Sequence, residues 1–176
     1  MEVLKSDGYA GLTTAKVAAA SGESKALIAY HFGSKHGLVA AAGHELGQTI
    51  TTAILDGLDD AQTVEEIVRG AFAGAWKLLE QDARLPRVYF DLNAVSVVEP
   101  EIREVMQDVK AGFRSVLVGL IRGADDPVDA RAASTLAVLV IAGIEGLSLE
   151  RIERGETAEL GRARELFVRS VMACLR

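Results

Sequence analysis

The stretch SGESKALIAYHFGSKHGL, Ser21 to Leu38, decides the fold. Gly22 supplies a residue free to take an unusual backbone conformation at a tight turn. Ser24 offers a hydroxyl that accepts an orphan N–H of a first helical turn. The helix it opens ends near Phe32-Gly33, and Ser34 caps another. Just upstream, Thr13-Thr14 caps a helix running to about Ala20. Two short helices joined by a glycine turn have the dimensions of a helix-turn-helix. Val17 and Ala18 on the first helix, with Ile28 and Phe32 on the second, form its small shared core. Lys25, Ala26, Leu27, Ala29, Tyr30 and His31 then face outward to varying degrees. Small side chains let such a helix sit deep in a major groove, and Leu27 suits thymine methyls. Lys25, Ala26 and Leu27 are therefore candidates for base contacts. Tyr30, His31 and Lys35 are candidate phosphate donors, with Thr13 and Thr14 aided by a helix N-terminus. Periodicity alone fits a plain helical hairpin with solvated charges equally well.

Outward from this stretch, a 3.6-residue apolar period recurs to the end of the chain, and strand-like alternation is missing. Ser34 opens a long helix through Leu38, Ala41, Leu46, Ile50, Ile54 and Leu58. Thr63 with Glu66 forms a capping box ahead of an apolar side made by Val64, Ile67, Val68, Ala71, Phe72, Ala75, Leu78 and Leu79. Pro86 opens a shorter helix, and Pro100 opens a regular one with Ile102, Val105, Met106, Val109, Phe113, Val116, Leu117 and Leu120 on one stripe. The turn GADDP, Gly123 to Pro127, leads to an apolar helix from about Val128 to Arg154, expected to be buried on most sides. A last helix carries Leu160, Phe167, Val171 and Cys174. The fold class is all-α, with a helix-turn-helix domain over residues 1–38 and a larger helical domain over 39–176.

The net charge of −6 argues against nucleic acid only until its distribution is read. Residues 1–40 carry four lysines against three carboxylates, a balance of +1 that leaves −7 on the remainder. A head this weakly basic neutralises few phosphates, so DNA binding is expected of a dimer and not of one copy. The apolar run LAVLVIAGI, Leu136 to Ile144, is shorter than a membrane span, and MEVLKSDGYA lacks the layout of a signal peptide. A cytoplasmic protein without a membrane partner is expected. The single cysteine, Cys174, excludes an internal disulfide and reads as a buried apolar residue.

Phe72, Trp76, Tyr89, Phe90 and Phe113, with Asn93 as a polar handle, are candidates to line a ligand pocket, and ordinary core packing is the competing reading for each. Of His31, His36 and His44, the first two are five apart across a helix break, a poor bite for one ion, so no metal is expected. No nucleophile–base spacing, paired acids or phosphate-cradling glycine loop is present, so neither enzymatic activity nor a cofactor is expected. Glycines lying singly inside helices are read as sites of close helix approach. Glu150, Arg151, Glu153 and Arg154 read as a solvated helix end with intrahelical pairing.

The run GYAGLTTAKVAAASGESKALIAYHFGSKHGL resembles the DNA-binding segment of the tetracycline-repressor (TetR) family of bacterial regulators. Gly8-Tyr9, Thr13, Val17-Ala18, Gly22, Ser24, Ile28, Tyr30-His31-Phe32, Lys35 and Leu38 carry the resemblance. VEPEIREVMQDVKAGFRSVL and IAGIEGLSLERIERGE look more diffusely like the late helices of that family's choline-sensing type. The resemblance implies a homodimer through the last two long helices, a small-molecule effector bound among the middle helices, and release of a palindromic DNA operator when it binds. Two features depart from the pattern. Only MEVLKSD precedes the Gly-Tyr pair, so the first helix is truncated or begins upstream. Glu23 stands where an apolar residue usually plugs the turn. These features keep open a second reading, a dimeric small-molecule-binding module that has lost DNA competence.

Overall fold

The computed structural model describes residues 1–58 and 60–173, and among these there are nine α-helices and no strand. They are α1 (Glu2–Gly11), α2 (Thr14–Ser21), α3 (Lys25–Phe32), α4 (Lys35–Leu55), α5 (Val64–Gln81), α6 (Arg84–Val98), α7 (Pro100–Arg122), α8 (Ala130–Arg154) and α9 (Ala158–Ala173). Cys174 lies outside the described residues.

Helix starts follow local chemistry. Thr13 accepts from the Lys16 amide, Ser24 from that of Leu27 and Ser34 from that of Gly37. At α5 the capping box closes both ways: Thr63 Oγ1 accepts from the Glu66 amide at 3.3 Å, and Glu66 Oε2 accepts from the Thr63 amide at 2.9 Å. Some boundaries differ from the sequence reading. α6 opens at Arg84, two residues before Pro86, because proline's missing N–H costs nothing in a first turn. α4 ends at Leu55, where the bonds from the Gly57 and Leu58 amides tighten to three-residue turns. α8 opens at Ala130 under an Asp129 cap.

Contacts divide the chain into two compact units, each built from two stretches. One joins Met1–Thr49 to Asp82–Lys110; the other joins Ile50–Gln81 to the residues from Ala111 on. The first holds α1 to α3, most of α4, α6 and the first half of α7. Its buried side chains include Leu4, Leu12, Ala18, Ile28, Leu38, Val39, Leu46, Leu92, Ile102 and Met106. α1 is interrupted at Gly8 (φ 66°, ψ −175°), which turns Tyr9 toward α6.

The second unit is centred on α5. Val64, Ile67, Val68, Ala71, Phe72 and Trp76 pack with Leu117 and Ile121 of α7, Ala133, Leu136, Ala137 and Val140 of α8, and Leu160, Val168 and Val171 of α9. Gly74 of α5 is a close-approach glycine: a β-carbon there would stand 2.7 Å from Ile54 Cα. α8 is not buried on most sides. Ala133, Leu136, Ala137 and Val140 face the core, but Val138 and Leu139 are 51% and 44% exposed. By length and composition α8 is also apolar enough to cross a membrane, contrary to the reading of its apolar run alone. Its periodic inner face instead marks it as a core helix with an uncovered outer side. Arg151 is also not solvated. It donates to the Trp76 carbonyl at 3.1 Å and pairs with Glu80 and Glu156. The expected intrahelical pair is Arg154 with Glu150, at 2.6 Å.

Candidate nucleic-acid interface and effector-pocket residues

The turn between α2 and α3 is set by Gly22, whose φ of 76° and ψ of 7° lie in the left-handed region that side-chain-bearing residues seldom adopt. Ser24 then starts α3 cleanly. Ala18 and Ile28 are buried between the two helices, and Val17 and Phe32 are half-buried beside them, as the sequence pattern requires. Lys25, Ala26, Leu27, Ala29, Tyr30 and His31 are all exposed, with Tyr30 at 83%. The Tyr30 and His31 rings meet edge to face at 5.4 Å, which groups two candidate phosphate donors at one end of α3. Thr13 is exposed and Thr14 half-buried. The Thr13 hydroxyl accepts from the Lys16 amide, and its proton stays available to donate outward.

The lysines of this unit are in unlike states. Lys16 Nζ lies 2.5 Å from Asp7 Oδ2, and Lys5 Nζ lies 3.0 Å from Asp82 Oδ2. Lys25 and Lys35 have no carboxylate partner among the described residues. Lys35 instead sits with its ammonium 3.7 Å from the centroid of the Tyr9 ring. The Tyr9 amide donates to Asp91 Oδ2 at 2.6 Å, and its phenol donates to Glu99. Sequence reasoning noticed Tyr9 only as half of the Gly-Tyr pair. Its partners, Asp91 on α6 and Glu99 just after it, lie more than eighty residues away, and no local pattern points to them.

The Lys5 ammonium, then the Arg84 guanidinium, hydrogen-bond to Asp82 and bring its carboxyl from 3.8 down to about 2. A carboxyl lowered on folding adds stability that is complete above its unfolded value and lost as pH falls through its folded one. Stability is therefore expected to fall between about pH 4 and pH 2. Asp82→Asn is expected to flatten that part of the acid limb, read from urea midpoints across the range.

The candidate pocket residues fall into two groups, one in each unit. In the second unit Phe72 is 1% exposed, with its ring edge-on to Phe167 at 5.5 Å and tilted against Trp76 at 6.2 Å. The Trp76 indole N–H donates to Glu156 at 2.9 Å, and Arg151 and Arg164 stand over its ring at 5.4 and 4.9 Å. Phe113 is buried on α7. In the first unit Tyr89 and Phe90 meet edge to face at 5.5 Å, and Asn93 Nδ2 donates to the Tyr89 carbonyl one turn back. The expected polar handle, the Asn93 amide, is thus engaged inside the protein in this conformation, as is the Trp76 indole N–H.

A capped two-helix reader with an exposed second helix, carried by an otherwise all-helical chain, defines a helix-turn-helix DNA-binding protein. Residues 1–42 match the profile of bacterial regulatory proteins of the tetR family, and residues 61–176 match that of the C-terminal part of BetI-type transcriptional repressors. The chain belongs to the tetR family of transcriptional regulators and carries a BetI-type body. No curated protein matches it.

Solved structures share the fold at low identity. A transcriptional regulator from Rhodococcus sp. Rha1 is 20% identical over 98% of this chain and 91% of its own, with a TM-score of 0.76. The regulator FadR from Bacillus subtilis, solved with stearoyl-CoA, is 16% identical over 99% and 95%, with a TM-score of 0.73. The multidrug binding protein EbrR, complexed with imidazole, is 22% identical over 96% and 83%, with a TM-score of 0.70.

Proposed function

We propose that the protein is a homodimeric repressor that holds a palindromic operator through α3 of each copy and leaves it when a small molecule binds. The exposed outer face of α3, held by a capped start and a glycine turn, carries this reading. Lys25, Ala26 and Leu27 are assigned to bases, and Thr13, Thr14, Tyr30, His31 and Lys35 to phosphates. DNA reading is assigned to residues 1–38, ligand binding and dimerisation to 39–176, and the site of action to the cytoplasm.

The dimer is assigned to α8 and α9. Thr135, Val138, Leu139, Ala142, Gly146 and Leu149 form an exposed stripe along α8, and Leu166 on α9 is 58% exposed. Such a stripe at helical spacing fits the seam of a helix bundle. The candidate effector-lining residues are Phe72, Trp76 and Phe113 in one unit and Tyr89, Phe90 and Asn93 in the other. Solved neighbours holding stearoyl-CoA and imidazole support an organic ligand in a body of this fold. A ligand that prefers a DNA-incompetent arrangement of the dimer lowers operator affinity by population shift alone.

The second reading, a dimeric binding module without DNA competence, draws on the exposed Glu23 beside the turn and on the two lysines already paired with carboxylates. Titration against the intergenic DNA flanking the gene, at two salt concentrations, separates the readings. Tight binding with a steep salt slope supports the repressor, and no binding supports the module. In the repressor, Lys35→Ala is expected to weaken all duplexes alike and to lower the salt slope by about one per copy. A loss confined to one sequence would remove Lys35 from the phosphate set.

A further inference from the structure

We propose that Tyr9 is a positioning residue of the DNA interface: its ring is the seat that holds the Lys35 ammonium out toward the phosphate backbone. This inference rests on the DNA-binding reading above and adds to it the group that prepares its cation.

A lysine side chain has four rotatable bonds, and fixing it costs rotamer freedom. A cation already held in place has met part of that cost before DNA arrives. The nature of the holder matters. Lys16 is held by the Asp7 carboxylate at 2.5 Å, so its charge is neutralised and DNA must compete for it. Lys35 is held by an aromatic face at 3.7 Å, which attracts the ammonium through the ring quadrupole and leaves its full formal charge. Of these two lysines, only Lys35 is held without a carboxylate partner that a phosphate would have to displace.

The seat is itself fixed. The Tyr9 amide is bonded to Asp91 Oδ2 at 2.6 Å, and its phenol to the Glu99 carboxylate at the end of α6. A phenol donating to a carboxylate carries more electron density over its ring, which strengthens the hold on a cation above it. The Glu99 bond, aided by burial, also pushes the Tyr9 phenol up to about 12, so it remains the donor at neutral pH. Lys35 is the first residue of α4, directly after the Ser34 cap, so a phosphate reaching it also meets the positive end of that helix.

The test uses the full chain and a random-sequence duplex, titrated by fluorescence anisotropy at a low and a higher salt concentration. Lys35→Ala and Tyr9→Leu are each expected to weaken binding about three- to tenfold and to lower the salt slope. Tyr9→Phe, which keeps the ring face, is expected to stay within about twofold of the unaltered protein. In the Lys35→Ala background, Tyr9→Leu is expected to add nothing, because the cation it positions is gone. Three results would overturn the proposal: Tyr9→Leu binding as tightly as the unaltered protein, an equal loss in the Lys35→Ala background, or Tyr9→Phe failing as badly as Tyr9→Leu. The second of these would mark general damage to the head. If the unaltered protein fails to bind DNA even at low salt, the DNA reading falls and the seat with it. If it binds and Tyr9 is uncoupled from Lys35, the seat alone falls.

Discussion

Leu139→Glu is expected to convert the proposed dimer to monomers and to lower DNA affinity by more than about tenfold. Leu139 is 44% exposed on α8 and lies outside the apolar core of its unit, so a single copy should fold almost unchanged. Surface substitutions of this kind usually fall within about 0.5 kcal/mol. In a twofold dimer every substitution counts twice. Only the exposed 44% of Leu139 is left for an interface to bury, about 0.7–1.3 kcal/mol per copy, and a carboxylate put in its place must be desolvated or must force the helices apart. Two copies together remove about 1.3–2.6 kcal/mol before that electrostatic penalty, which is one to two decades in the dimer constant. DNA binding follows, because one weakly basic head neutralises too few phosphates to hold a duplex alone. Sedimentation equilibrium reads the assembly, anisotropy reads the DNA, and a thermal melt checks the fold. A variant that melts normally and remains dimeric would place the interface elsewhere than on this side of α8.

Phe72→Ala is expected to be the most damaging single truncation, at about 3–5 kcal/mol. The ring is 1% exposed and packs against Phe167 and Trp76 among side chains from α5, α7, α8 and α9. Its removal forfeits the transfer energy of a full aromatic side chain, leaves a cavity that the helix backbones cannot close, and breaks ring contacts worth about 0.5–1.5 kcal/mol each. Against a total stability of about 5–15 kcal/mol this is a large share. The same variant separates the two readings of Phe72, core packing and effector lining. A ring that is chiefly core shows the full loss in the urea midpoint of the unliganded protein. A ring that lines an effector pocket shows a smaller loss there and a larger one in effector-induced release from DNA.

Much of the helical layout was legible because its causes lie within one turn of each other. Ser24 needs only the Leu27 amide, and Thr63 needs only Glu66 three positions on. The apolar stripe of α5 reads from spacing, and the structure buries all of it except Ala75, which is half-buried. The outward residues of α3 were legible for the same reason: Ala18 and Ile28 fix which side of each short helix is inside. The end of α4 was less legible, since Leu58 continues the apolar period after the helical bonds have already given way to tighter turns. Periodicity records which face a residue would take, not whether the helix reaches it.

An all-helical chain, the position of its two-helix reader and the residues that reader turns outward can all be read from the residues alone. These follow from caps, periods and a glycine turn, all of them interactions between near neighbours. The folded chain sets which cations are already paired with carboxylates and which are not. Lys16 meets Asp7, Lys35 meets Tyr9, and Tyr9 meets Asp91 across eighty-two residues. It also decided that Trp76 gives its N–H to Glu156 and that α6 belongs with the N-terminal helices. The apolar count of α8 measures how much surface must leave water, but it does not say whether the chain's own helices cover it. Val138 and Leu139 stand uncovered because Leu136, Ala137 and Val140 already fill the inner side, and that division follows from packing in three dimensions, which no local pattern encodes.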